Sequence, residues 1–311
     1  MLISHRIALD PNHAQATSFA RAAGTARFAY NWALSEWQRQ YEAWKADNSQ
    51  PRPSQAALRR QLNAVKAEQF AWMGAVTKNA PQQAIKNLGA AFKRFFAGQG
   101  RYPTYKKKGT HDSFRADNGP DKTHANAVEL KGRRLKLPVI GWVKMREALR
   151  FKGKIMSAVV SRTADRWFVS LTVEVDHPIA IRESQAVGGV DLGITWLASL
   201  SDGDSFDGPK ALGRTLAKLK RVSRSLSRKV RGSANRRKAK AIMARLHARI
   251  AQIRQDGLHK LTTALVQRFT LIGIEDLNVR AMMANHRLAR SIADMGFHKF
   301  RLPRVSPTTG L

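Results

Sequence analysis

Apolar positions recur in two different rhythms along this chain, and the change between them divides it. A short first strand is predicted over 2–9, after which Asp10-Pro11 opens a helical region. There Ala26, Phe28, Ala29, Trp32, Ala33, Trp37 and Tyr41 fall at helical spacing. Pro51 and Pro53 interrupt the pattern, and Ser54 stands as N-cap to a second helix through Leu58, Leu62, Val65 and Phe70. A third helix begins near Pro81, carries Ile85, Leu88, Phe92 and Phe95 on one face, and stops at Gly98-Gln99-Gly100. Trp32, Trp37, Phe92 and Phe95 are most simply core residues of this helical block, spanning 11–98.

The period then shortens. A Gly/Lys/Tyr-rich loop over 101–119 leads into strand-like runs at 128–130, 135–137, 142–145, 155–161 and 167–173. The last two are rich in β-branched residues and joined by Arg162-Thr163-Ala164-Asp165-Arg166, which reads as a hairpin. Strand 2–9 is expected to pair with this later set, making the helical block an insertion into one β-domain. Asp176-His177-Pro178 ends that domain, and a linker is expected to about 185. A third unit starts with strands over 187–190 and 197–200, and Ser201-Asp202-Gly203-Asp204 turns the chain toward Ser205-Phe206. A long helical pair follows. Leu212, Leu216, Leu219 and Leu226 form one seam, Ile242, Leu246, Ile250, Ile253, Leu261 and Leu265 the returning one, and Arg231-Gly232-Ser233-Ala234-Asn235 the turn. A strand over 271–274 and a last helix over 286–300 complete a multidomain α/β reading.

Charge narrows the function. The chain carries 55 Lys+Arg against 22 Asp+Glu, a net +33. Self-repulsion of that size favours a polyanionic partner, and phosphate neutralisation with counterion release makes nucleic acid the expected one. No polybasic amphipathic helix with a Trp/Phe face and no run of about 20 apolar residues is present, so no membrane partner is expected. The start of the chain lacks a signal-peptide core, and an intracellular, soluble protein is expected. The absence of cysteine excludes disulfides, thiolate catalysis and Cys-ligated zinc.

No acid occurs from Lys210 to Gln255, where Arg214, Lys218, Lys220, Arg221, Arg224, Arg228, Lys229, Arg236, Arg237, Lys238 and Lys240 crowd around the hairpin turn. A solvated helix face is the bland explanation. Exposed helices normally mix signs, however, because like charges at i,i+4 repel, so a one-signed face favours phosphate contact. Lys106, Lys107 and Lys108 beside Tyr102 and Tyr105 pair cations with stacking surfaces, and a solvated loop explains them equally well. The histidines show no metal-ligand spacing.

Two carboxylates end apolar strands: Asp191 in Gly189-Val190-Asp191-Leu192-Gly193-Ile194, and Glu275 in Ile274-Glu275-Asp276-Leu277-Asn278. Taken singly, Asp191 is also explained as a strand-end turn residue, and Glu275-Asp276 as a solvated strand end or helix cap. Brought together on neighbouring strands, they would supply the hard oxygen donors that Mg²⁺ or Mn²⁺ takes.

These segments, with Leu197-Ala198 and Ser201-Asp202-Gly203 after the first and Val279-Arg280 and Met282-Met283 after the second, resemble two RuvC motifs of the TnpB/OrfB transposon family. Ala26-Arg27-Phe28-Ala29-Tyr30-Asn31-Trp32 is similar to its N-terminal helical signature. Tyr102-Pro103-Thr104-Tyr105-Lys106-Lys107-Lys108 and Ser113-Phe114-Arg115 are similar to its basic loop. Leu137-Pro138, Ile140-Gly141-Trp142-Val143 and Ala164-Asp165-Arg166-Trp167-Phe168 resemble its wedge strands.

The resemblance implies a wedge β-domain over 1–10 plus 99–180, a helical recognition insertion over 11–98, and an incomplete RNase-H-like RuvC domain over 186–301 with a basic helical hairpin, then an irregular tail over 302–311. It implies a guide RNA from the transposon end, a target DNA, Mg or Mn, and Asp191 and Glu275 as catalytic metal ligands. Together with the acid-free run, the basic loop gives the expected nucleic-acid contacts: Lys106, Lys107, Lys108, Arg115, Arg214, Lys218, Arg221, Arg224, Arg228, Arg236, Arg237, Lys238 and Lys240. The family normally continues with a cysteine zinc ribbon and a third RuvC Asp, and neither motif occurs here, so no zinc and weak or lost cleavage are expected. Truncation or frameshift is the expected origin, with Pro303 and Pro307 breaking the helix the family continues. A cleavage-dead RNA-guided binder and a guide-independent transposition accessory are the alternatives.

Overall fold

The computed structural model describes residues 1–119, 127–176, 186–297 and 300. The chain divides into two compact units, Met1–Pro178 and Ile179–Leu311. The expected linker to 185 and tail over 302–311 lie outside the described residues, apart from the linker's start at Asp176. No helix among the described residues is long and apolar enough to cross a membrane.

In the first unit, β1 (Leu2–Asp10) precedes α1 (His13–Ala46), α2 (Gln55–Gln69), a 3₁₀ turn over Ala71–Ala75, and α3 (Asn79–Phe96). The starts of α1 and α2 are set by polar side chains, whereas α3 has no side-chain cap. Asn12 and Gln15 form a reciprocal capping box at α1, and the Ser54 hydroxyl accepts from Ala57 N at 3.2 Å at α2. Then come β2 (Ser113–Asp117), β3 (Glu129–Lys131), β4 (Arg134–Leu137), β5 (Gly141–Met145), β6 (Lys154–Thr163) and β7 (Arg166–Glu174), in the sheet order β2-β6-β7-β1-β5-β4-β3. The central place of β1 follows from its pairs: Ile3, His5 and Ile7 face Val173, Leu171 and Val169, while Leu9 faces Met145. Strands on either side of the helical block therefore share one sheet.

Helices and sheet also share one core. Phe19, Leu34, Leu58, Ile85, Leu88 and Phe92 are buried in the same cluster as Ile7, Leu135, Val143, Val169 and Leu171. Trp37 stacks on Phe92 with centroids 4.1 Å apart, and Trp32 and Phe95 pack against the cluster partly buried. One expectation needs correction: the loop over 101–119 is not loop throughout. Ser113–Asp117 is β2, whose Phe114 and Ala116 are buried while Ser113, Arg115 and Asp117 alternate outward. Two apolar residues in a basic setting are too short a pattern to declare a strand alone; pairing with β6 creates it.

The second unit contains β8 (Val187–Asp191), β9 (Trp196–Leu200), β10 (Ser205–Asp207), α4 (Ala211–Ser227), α5 (Ala234–Arg268), β11 (Leu271–Ile274), α6 (Val279–Met282) and α7 (Ala289–Met295). Its sheet runs β10-β9-β8-β11, with β11 parallel to β8 and the other pairs antiparallel. A parallel return needs a long crossover, and α4 and α5 provide it. Leu258, Leu261 and Leu265 of α5 join Val190, Leu197, Ala198, Leu200, Ile292 and Met295 in the core. The distal hairpin is less buried than its seam predicts: Leu212, Leu216, Leu219 and Leu226 are half-buried, and Ile242 is exposed. The last helix is also shorter than expected, because Gly296 takes a left-handed conformation (φ 80°) and caps α7.

Gly188 shows how closely this sheet is covered. A Cβ there would lie 2.6 Å from the Phe269 ring, so the ring or the strand would have to shift. Gly188→Ala is expected to cost about 1–3 kcal/mol through overpacking. Urea denaturation of the two proteins measures it; equal midpoints would show that Phe269 yields freely.

Candidate functional site

The β8–β11 register sets side by side the two strand ends that carry the motif carboxylates. Leu271, Ile272, Gly273 and Ile274 pair with Val187, Gly188, Gly189 and Val190, so the next residues on these parallel strands are Glu275 and Asp191. Neighbouring strands are ~4.8 Å apart. Val190 and Leu192 are buried, and strand alternation turns Asp191 out of the core between them. Glu275 is likewise exposed. The helix-cap explanation of Glu275-Asp276 does not describe this chain, because the cap of α6 is Asn278, which accepts from Ala281 N at 3.0 Å.

Two anionic groups on adjacent strand ends repel one another, and an oxygen-seeking divalent cation relieves that cost. The donor set fits Mg²⁺ or Mn²⁺ by chemistry, with Asp191 and Glu275 as the residues that would hold it. Among the described residues no group of three or more His, Asp or Glu is gathered to hold a metal. The other late acid, Asp294, is used elsewhere. It is buried on α7, accepts from Leu212 N at 2.8 Å and Gly213 N at 2.9 Å, and pairs with Arg254 at 3.2 Å. Lys210, the N-cap of α4, gives no side-chain cap, and Asp294 supplies the missing anion at that helix start.

Along the hairpin, Arg214, Lys218, Arg221, Arg224, Arg228, Lys238 and Lys240 are exposed opposite the half-buried leucines. Two arginines have another occupation. Arg236 Nη1 donates to the carbonyls of Leu226 at 2.9 Å and Lys229 at 2.7 Å, and Arg237 Nη1 donates to Gly232 O at 3.0 Å. Sequence shows the charge of these two arginines but not these partners.

The basic loop of the first unit is strapped to α1. The Asn31 side chain donates to Lys106 O at 3.0 Å and accepts from Lys106 N at 2.8 Å, and Tyr105 donates to Gln38 at 2.9 Å. Lys106 is exposed overall, but its Nζ sits 4.0 Å from the Tyr30 ring centroid, and partial desolvation there holds its ammonium below the usual lysine range. Arg115 is paired with Asp117 at 2.6 Å, and Tyr102 packs edge-on against Phe92 and Phe95. Lys107 and Lys108 remain exposed. The positioning role of Asn31 had no local signal, since its partner lies 75 residues away.

These features define a mixed α/β protein built on two sheets, the second bearing an acidic strand edge and a basic helical arm. A family model for OrfB_IS605, described as a probable transposase, matches residues 170–286, and a helix-turn-helix domain model of OrfB_IS605 matches residues 1–45. In this chain the latter segment forms β1 and nearly all of the uninterrupted α1. The putative RNA-guided DNA endonuclease InsQ of Escherichia coli K12 is 33% identical over 96% of this chain and 76% of its own length. A putative RNA-guided DNA endonuclease of Streptomyces pristinaespiralis is 37% identical over 94% of this chain and 71% of its own. A solved Cas12f1–sgRNA–target DNA complex aligns over 99% of this chain and 86% of the matched chain, at 13% identity and a TM-score of 0.31. The chain belongs to the TnpB/OrfB IS605 family of RNA-guided DNA endonucleases.

Proposed function

We propose that this chain is a transposon-associated, RNA-guided DNA-binding protein whose second unit is a RuvC-like nuclease domain. The reading is supported by the β8–β11 register, in which Asp191 and Glu275 are the residues that directly follow the paired Val190 and Ile274. Its family relatives are described as RNA-guided DNA endonucleases, and a net charge of +33 suits a guide RNA and a target DNA as partners. In this assignment 1–10 with 99–180 is the wedge, 11–98 the recognition insertion and 186–301 the nuclease fold. Base pairing reads sequence, while the protein reads backbone shape.

A divalent ion at the acidic edge would supply Lewis acidity for phosphodiester hydrolysis. Asp191 and Glu275 would hold it, and both residues are exposed, which leaves these strand ends open to a phosphate. Two carboxylates are a sparse set for a two-metal centre, and Asp294 is committed to α4, so slow cleavage is the expected result with these residues alone.

Sequencing the RNA that copurifies with the chain, then presenting the DNA target that this RNA specifies, tests the reading. A single RNA species, target-dependent binding and little Mg²⁺-dependent cutting are expected. Random RNA with target-independent binding would favour the guide-independent accessory reading, and rapid cutting would overturn the two-carboxylate limit.

A further inference from the structure

The α4–α5 turn is stapled in a way the phosphate-contact reading of its arginines does not explain. Helix C-termini carry about half a negative charge on unclaimed carbonyls, which would repel a phosphate. Here one of them, Leu226 O, and three carbonyls of the turn that follows are taken. Arg236 spans Leu226 O and Lys229 O, and Arg237 takes Gly232 O. The Ser233 hydroxyl donates to Val230 O at 2.9 Å while accepting from Arg236 N at 3.1 Å. Gly232, at φ 83°, lets the chain reverse within this network.

What the staple presents is one-signed. Arg228 and Arg231 are exposed and Lys229 half-exposed, around Val230 at 77% exposure. No acid lies between positions 210 and 255 to pair with them in sequence. The tip also stands apart. The first α5 residue in the sheet core is Leu258, 24 residues after Ala234, which at ~1.5 Å per residue is about 36 Å of helix. That reach is close to one turn of a nucleic-acid duplex.

We propose that Arg228, Lys229 and Arg231 form a discrete backbone contact for a nucleic-acid duplex at the end of a rigid arm. Arg236, Arg237 and Ser233 are its positioning residues rather than phosphate contacts. Ordering the turn in the folded protein removes that entropy cost from binding. This inference rests on the proposed nucleic-acid function and adds the site and its division of labour.

The test is fluorescence anisotropy of the full chain with an RNA–DNA hybrid of about 20 base pairs, titrated at several salt concentrations. R228Q/K229Q/R231Q is expected to reduce the slope of log K against log salt by about 2.7, at ~0.9 per lost phosphate contact. Arg236→Lys and Arg236→Gln are expected to weaken binding alike, because an ammonium is a point donor that cannot span two carbonyls. Circular dichroism of the triple variant, altered only at surface residues, provides the folding control. An unchanged slope in the triple variant, or full affinity in Arg236→Lys, would overturn the inference while leaving the proposed function standing. A chain with no salt-dependent nucleic-acid binding would overturn both.

Discussion

Asp294→Ala is expected to destabilise the second unit by about 3–5 kcal/mol, the range for removing one partner of a buried ion pair. The loss has two sources. Arg254, with a side chain 22% exposed, keeps its charge without its carboxylate, and the backbone N–H groups of Leu212 and Gly213 lose their acceptor at the start of α4. Asp294→Asn keeps a polar side chain of the same shape and should cost less. A change of this size is a large share of ordinary domain stability. Thermal unfolding followed by circular dichroism checks it: wild-type melting of Asp294→Ala would mean that α7 does not anchor the arm. The same measurement separates anchoring from catalysis, because no substrate is present.

The second large effect is expected at the acidic edge. On the proposed reading, Asp191→Asn and Glu275→Gln each remove a charged oxygen donor from a pair that adjoins across β8 and β11. Changes to outer-sphere partners of metal sites cost roughly 10–100-fold in affinity, and loss of a direct ligand should cost at least that. Calorimetric titration of the purified chain with Mn²⁺ reads the effect without relying on activity. Both residues are exposed, so neither substitution should disturb the fold. Mn²⁺ affinity that is indifferent to both substitutions would remove these carboxylates from the proposed site.

Much of the architecture was legible because it is encoded locally. Helical spacing marked the faces of α1, α2 and α3, and Ser54 announced the start of α2 three residues from the N–H it caps. The β6–β7 hairpin and the β9–β10 turn were visible in β-branched runs and turn residues. Where the signal was short or non-local, reading failed. β2 needed β6 beside it, and the last helix ended early at a glycine whose left-handed backbone a periodicity search ignores.

The candidate site divides along the same line. By itself, the amino-acid sequence determined that the chain is strongly cationic, that acids are absent from the helical arm, and that two apolar strands end in carboxylates. Those are properties of composition and near neighbours. Only the tertiary structure decided that β11 returns parallel to β8 in the register that aligns the strand ends preceding Asp191 and Glu275, and that Asp294 caps α4. It also decided that Arg236 clamps a turn instead of facing solvent. Each of these depends on which distant groups the fold brings within hydrogen-bonding distance of one another, about 3 Å, and charge or spacing along the chain does not contain that distance.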